Sequence, residues 1–248
     1  MNEQPRPALN RPGAFGLVVA ADNRRGVFDL QNESVLASGV PIDAVFIGDS
    51  ITDGWALDAF FQGTGGLLIN RGIGGDRTAF LRRRFEADVL QLRPEIVVLL
   101  HGINNTWDLD TWWDAQLRRT PEEIASEIVA DTSAILEIAR QQHLPVALCS
   151  MLPTDILYNA NTPVRNRLVA TVNAQMHNLV TGPNEVFVDY HTHFVSPDGV
   201  TLAPGWADDG LHPHVVGYRK MAAILLEHLE QAGLSILMPR APSFLNRA

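Results

Sequence analysis

The run Val45-Phe-Ile-Gly-Asp-Ser-Ile-Thr-Asp-Gly-Trp55 decides how the rest of the chain is read. Val45 to Ile47 is the apolar end of a buried strand, and Gly48 breaks it. A strand that stops at Gly-Asp-Ser and turns toward a helix presents the Ser50 hydroxyl at the carboxyl edge of a sheet. In open α/β proteins that edge is where ligands bind. Taken alone, the three residues also make an ordinary strand-to-helix turn with a capping serine.

Working outward, apolar runs alternate with helical periodicity along the chain. Strands are predicted over Ile42 to Ile47, Leu67 to Asn70, Glu95 to Leu100, Pro145 to Met151 and Glu185 to Asp189. Between them, helices are predicted over Asn23 to Ser38, Trp55 to Phe61, Thr78 to Leu92, Thr120 to Gln142 and Val164 to Val180, with a closing helix from about Val215. Thr120-Pro-Glu-Glu123 is a strong start, with a capping hydroxyl, Pro at the first helical position and Glu at the third. Arg82-Arg-Arg84 reads as a solvated helix face. The alternation predicts an α/β fold, a three-layer α/β/α sandwich on a five-stranded parallel sheet, because right-handed crossovers put helices on both faces. Residues 1–14, with three prolines, read as a flexible N-terminal arm, and 15–248 as a single domain.

Composition narrows the function. The 248 residues carry 28 acidic against 19 basic side chains, a formal charge of -9 that argues against nucleic acid or an anionic membrane as partner. Cys149 is the only cysteine, so no intrachain disulfide forms, and its apolar setting suits a buried hydrophobe. No run approaches membrane-spanning length and no secretory pattern opens the sequence as given, so a cytoplasmic location is expected. His191-Thr-His193 and His212-Pro-His214 lack a positioned carboxylate or cysteine partner, so no metal and no cofactor are expected. A homo-oligomer is left open.

Three more blocks follow Ser50 in order: Asn70-Arg-Gly-Ile-Gly-Gly75, Gly102-Ile-Asn-Asn105 and Asp209-Gly-Leu-His212. Together, from about Gly39 to about Leu229, the chain resembles the SGNH subgroup of the GDSL-type esterases and lipases. The resemblance implies a flavodoxin-like hydrolase fold with Ser50 as nucleophile and Asp209 and His212 as its partners. It implies an oxyanion hole from the Ser50 and Gly75 N–H groups and the Asn104 amide. Two departures are Asn105, where Asp is commoner, and His101, where a small or aliphatic residue is commoner.

The chemistry suits those residue types. A serine hydroxyl is a weak nucleophile until a base takes its proton, and imidazole does so near neutral pH. A carboxylate three residues before His212 can reach Nδ1 in a turn; the plainer alternative is Asp209 as N-cap of the closing helix. Glycine at position 75 lets the backbone approach a substrate closely. Asp49, His101, Trp107 and Trp206 are candidate substrate-binding residues, and Trp107, Trp112 and Trp113 either stack on a sugar or pack beneath a loop. The expected activity is a serine esterase acting on short acyl, chiefly acetyl, esters of a carbohydrate or small molecule. The alternatives are a lysophospholipase, a thioesterase or a platelet-activating-factor-acetylhydrolase-like enzyme, and, from another class, a catalytically silent carbohydrate-binding relative.

Overall fold

The computed structural model describes residues 7–16, 19–110 and 119–240. Helix α1 (Ala20–Ser38) leads into β1 (Ile42–Gly48), followed by the short helices α2 (Ser50–Asp53) and α3 (Leu57–Phe60). A two-residue strand, β2 (Phe61–Gln62), precedes β3 (Leu67–Gly72) and α4 (Thr78–Asp88). Then come β4 (Ile96–Leu100), a 3-10 helix (Ile103–Asp110), α5 (Pro121–Gln141), β5 (Val146–Cys149) and α6 (Thr162–Leu179). The last elements are β6 (Glu185–Val188), α7 (His191–Phe194), α8 (Val215–Gln231) and β7 (Met238–Pro239).

The main sheet has the order β3-β1-β4-β5-β6, all parallel, with Val45 opposite both Ile69 and Val97, and Val97 opposite Val146. Alternate side chains of β1 go to opposite faces, as the period of two in a strand requires. Val45 and Ile47 meet Leu81 and Phe85 of α4 and Ile128 and Ile135 of α5 on one side. Ala44 and Phe46 meet Met221, Ile224 and Leu225 of α8 on the other. These residues are at most 2% exposed, so the sheet is covered on both faces. α5 starts as its sequence dictates: Thr120 Oγ1 accepts from the Glu123 N–H at 3.2 Å and the Glu123 carboxylate accepts from the Thr120 N–H at 2.8 Å.

Three local expectations are corrected. Residues 55–61 are not one helix: Phe61 is fully buried against Phe46 and Trp55 and pairs antiparallel with Pro239. That pairing is tertiary, and a two-residue strand leaves no periodicity to read. The helix from Thr78 ends at Asp88 rather than Leu92: Val89 leaves the helical range at φ -127°, and Leu90–Leu92 form a separate 3-10 turn that Arg93 ends with a left-handed φ of 52°. Arg84 is not on a solvated face; it is 0% exposed.

Residues 7–16 form no helix or strand. Asn10 and Gln91 exchange two hydrogen bonds, and Phe15 stacks on Phe80 at 5.8 Å with Arg83 over its ring. Burial pushes the Cys149 thiol up to about 12, in keeping with a fully buried, inert side chain. No helix among the described residues is long and apolar enough to cross a membrane.

Candidate active site

The end of β1 is tightly constrained. A Cβ on Gly48 would stand 2.1 Å from the Leu100 carbonyl oxygen and 2.3 Å from Thr52 Oγ1, so only glycine lets the chain turn there. Asp49 then caps α2, its carboxylate accepting from the Ile51 N–H at 3.0 Å. Ser50 is the first residue of α2 and half-buried. N–H groups of a first helical turn have no partner within the helix, so the one at Ser50 is available to an anion.

The second loop is fitted to the first. A Cβ on Gly72 would lie 2.0 Å from the Asp53 N, which leaves glycine alone able to pack β3 against α2. The Asn70 amide donates to the Thr52 and Trp55 carbonyls at 2.7 and 3.0 Å, closing the end of that short helix, and its oxygen accepts from the Gly72 N–H. The Ile73 N–H donates to the Gly48 carbonyl, and Gly75 takes the left-handed φ of 79° that turns the loop back. An added Cβ on Gly74 would lie 3.9 Å from the Ser50 Cβ, so this loop runs along the serine.

Asn104 sits in the 3-10 helix after β4, 8% exposed, and donates from its amide to the Asp76 carbonyl at 3.0 Å. The loops bearing Gly75 and Asn104 are thereby joined one residue beyond Gly75. Asn105, fully buried, accepts from the Thr78 N–H and donates to Thr78 Oγ1 and Glu127, tying the 3-10 helix to α4 and α5.

Asp209 and His212 form a self-contained turn. One Asp209 oxygen accepts from the Leu211 and His212 N–H groups at 2.9 and 2.7 Å, and the other lies 2.6 Å from His212 Nδ1. His212 Nε2 lies 2.9 Å from Ser50 Oγ. With the Nδ1 proton directed to the carboxylate, Nε2 is left as acceptor for the serine hydroxyl. Desolvation works to raise the Asp209 pKa, but its bonds from the His212 ring and from the His212 and Leu211 N–H groups outweigh it and hold the carboxyl below its usual range. Gly210 has φ 74°, and a Cβ there would meet the Asp155 carbonyl oxygen at 2.0 Å, so the turn is seated against the loop after β5. Asp209 does not cap α8; His214 does, its Nδ1 accepting from the Val216 N–H.

The remaining candidates lie at different depths. Asp49 and His101 are 1% and 2% exposed, below the surface a substrate would meet. Both line a small void that also takes in Ile51, Ile103 and Leu211, with Asp49 and Ile51 the two chain neighbours of Ser50. Burial, the leading cause, raises the Asp49 carboxyl to about 7, with Asp76 adding to it, and burial lowers His101 to about 4. Trp107 is half-buried with the Arg165 guanidinium 4.6 Å from its ring centre. Trp206 is half-buried against Phe194 at 5.3 Å. Trp112 and Trp113 lie outside the described residues.

A model of the GDSL-like lipase/acylhydrolase family matches residues 46–220. An acetylxylan esterase of Geobacillus stearothermophilus is 24% identical over 208 residues, 75% of this chain and 92% of that protein. The crystal structure of a GDSL-like lipase from Bacteroides thetaiotaomicron superposes with a TM-score of 0.66 at 24% identity, covering 83% of this chain and 98% of that one. A catalytic mutant of an acetylxylan esterase from Geobacillus stearothermophilus gives 0.58 at 20% identity, covering 77% and 95%. The structural likenesses establish a shared fold. The family model spans well over half of the sequence, and on that ground the chain belongs to the GDSL-like lipase/acylhydrolase family and is a carboxylic-ester hydrolase.

Proposed function

We propose that this protein is a serine esterase that removes short acyl groups, acetyl foremost, from a carbohydrate or other small alcohol. The observation that carries the reading is the unbroken chain from Asp209 through His212 Nδ1 and Nε2 to Ser50 Oγ, at 2.6 and 2.9 Å. In it, Ser50 Oγ attacks the ester carbonyl carbon while His212 Nε2 takes the hydroxyl proton. The carbonyl oxygen becomes an oxyanion facing the Ser50 and Gly75 N–H groups and the Asn104 amide. Collapse breaks the bond to the leaving oxygen, which receives the proton from His212, and the alcohol departs. Water then attacks acyl-Ser50, giving its proton to His212, and the acid leaves as Ser50 Oγ is reprotonated. Asp209 holds the ring in the required tautomer and balances the imidazolium.

The similarity to acetylxylan esterases supports acetyl as the acyl group and a sugar as the alcohol. The test has two parts. A serine-directed phosphonate should label Ser50 and no other residue, read by peptide mass. Turnover of p-nitrophenyl esters should fall as the acyl chain lengthens from acetate to octanoate. A rise with length would move the protein to the lysophospholipase or thioesterase class.

A further inference from the structure

The reaction proposed above uses no arginine, yet Arg84 of α4 is, with Arg165, one of the two arginines among the described residues that are 0% exposed. Its guanidinium is fully engaged with the ends of the site-bearing strands. Nη2 donates to the Gly48 carbonyl at 3.0 Å, two residues before Ser50. Nη1 donates to the Arg71 carbonyl at 2.9 Å and to Asp88 at 3.0 Å, and Nε donates to the Asp76 carboxylate at 2.8 Å. Asp76 is itself the residue whose carbonyl receives the Asn104 amide. One planar group therefore spans the exit of β1, the exit of β3 and, through Asp76, the Asn104 helix after β4.

We propose that Arg84 is a positioning residue for the oxyanion donors, setting the Ser50, Gly75 and Asn104 loops relative to one another. The proposal rests on the esterase reading above. A buried ion pair stabilises a fold little compared with an apolar filling of the same volume, because desolvating the charges offsets their attraction. What a guanidinium adds is direction, since its rigid fork holds several acceptors at fixed angles. Every acceptor here other than Asp88 belongs to a segment that carries or adjoins a proposed oxyanion donor. Asp88 leads outward: it also receives Arg25 of α1, and Asn32 of α1 donates to the neighbouring Ala87 carbonyl. The first helix, which lies before the residues matched by the family model, is thus fastened to the same charge cluster.

The experiment is Arg84→Lys in the full chain, assayed on p-nitrophenyl acetate with rates divided by the number of phosphonate-titratable Ser50 sites. Lysine keeps the charge and loses the fork. The expected result is a fall in kcat of about 10-fold or more with KM within about 2-fold, because the donors matter to the transition state more than to the bound ester. A second readout is coupling: the cost of Asn104→Ala should shrink in the Arg84→Lys background. A merely structural role would lower the melting temperature and leave kcat per titrated site unchanged, and that result overturns the proposal. Where Arg84→Lys does not fold, Asp76→Asn removes only the carboxylate end, keeping the carbonyl that Asn104 uses. Its kcat should drop with KM held, and an unchanged kcat would again overturn the proposal. Failure of the esterase reading looks different: the wild-type protein would not be labelled at Ser50 at all.

Discussion

The two halves of the site are built by opposite means. On the side of the proposed nucleophile and oxyanion donors, Asp49 and Asn104 are 1% and 8% exposed, and the loops that carry them depend on bonds reaching across four elements. On the side of the proposed base, the Asp209 and His212 side chains are 55% and 43% exposed, and the carboxylate is satisfied within its own turn. In the first half, the bonds that set the geometry also hold the fold. In the second they belong to a three-residue spacing, and an exposed pair of this kind contributes about 1 kcal/mol or less to stability. Breaking the buried ties should therefore cost activity and stability together, whereas damage to the exposed half, or to the Ser50 hydroxyl that bonds only to it, should cost activity alone.

The largest expected effect is that of Ser50→Ala, which should lower kcat by about 10⁴-fold or more with the melting temperature nearly unmoved. It serves as the reference, since the side chain is small and its one bond is to the exposed histidine. Next is Asp209→Asn, with a kcat loss of about 10²–10⁴-fold and again little change in melting temperature. Asn104→Ala should cost about 10²–10³-fold in kcat with little change in KM. Unlike the other two, it should also destabilise, because the buried Asp76 carbonyl loses its donor at about 1–3 kcal/mol. For a chain of this size that is a drop of several degrees in a thermal melt. The comparison breaks if Asp209→Asn melts as early as Asn104→Ala.

How much of this was legible in the sequence follows the same division. The Asp209–His212 turn is local, so the spacing of two residues carries its geometry. The strands and their helices are legible because burial on both faces makes nearly continuous aliphatic runs such as Ile96–Leu100. Asn70 and Asn105 stand inside recognisable blocks, but their partners, Trp55, Thr78 and Glu127, are distant, so their roles as ties emerge only in three dimensions. Arg84 is hidden in the sequence because three consecutive arginines look solvated in an acidic protein. Its phase held the correction: Leu81, Arg84, Phe85 and Asp88 recur at the spacing of one helix face, and all four are buried. A charge in an apolar stripe, with an opposite charge four residues on, marks a buried pair. Trp107 was open between stacking on a substrate and packing beneath a loop, and the Arg165 guanidinium on its ring shows a partner within the protein.

The smallest expected effect on activity comes with a test of the buried half that leaves the reacting atoms untouched. Asp49 and His101 line one void, and their protonation equilibria are displaced in opposite senses by the same burial. Asp49 titrates near 7 when folded against an ordinary 3.8. Between those values the folded protein holds a proton that the unfolded chain has released, so this group's contribution to stability falls as pH rises from about 4 to about 7. His101 titrates near 4 against 6.5, so between those values the unfolded chain holds the extra proton, and stability falls as pH drops from 6.5 to 4. The shifts bound the two contributions at about 4 and about 3 kcal/mol. Over pH 4–6.5 the slopes oppose, and the wild-type melting temperature should be nearly flat with respect to these two groups. Asp49→Asn keeps an oxygen to accept from the Ile51 N–H and removes one slope, so its melting temperature should climb with pH by a few degrees from 4 to 6.5. His101→Phe removes the other, and its melting temperature should decline across the same range. If both variants tracked the wild type in parallel, the void would be wet enough to leave each group near its ordinary equilibrium, and the buried half would be less sealed than its exposure indicates.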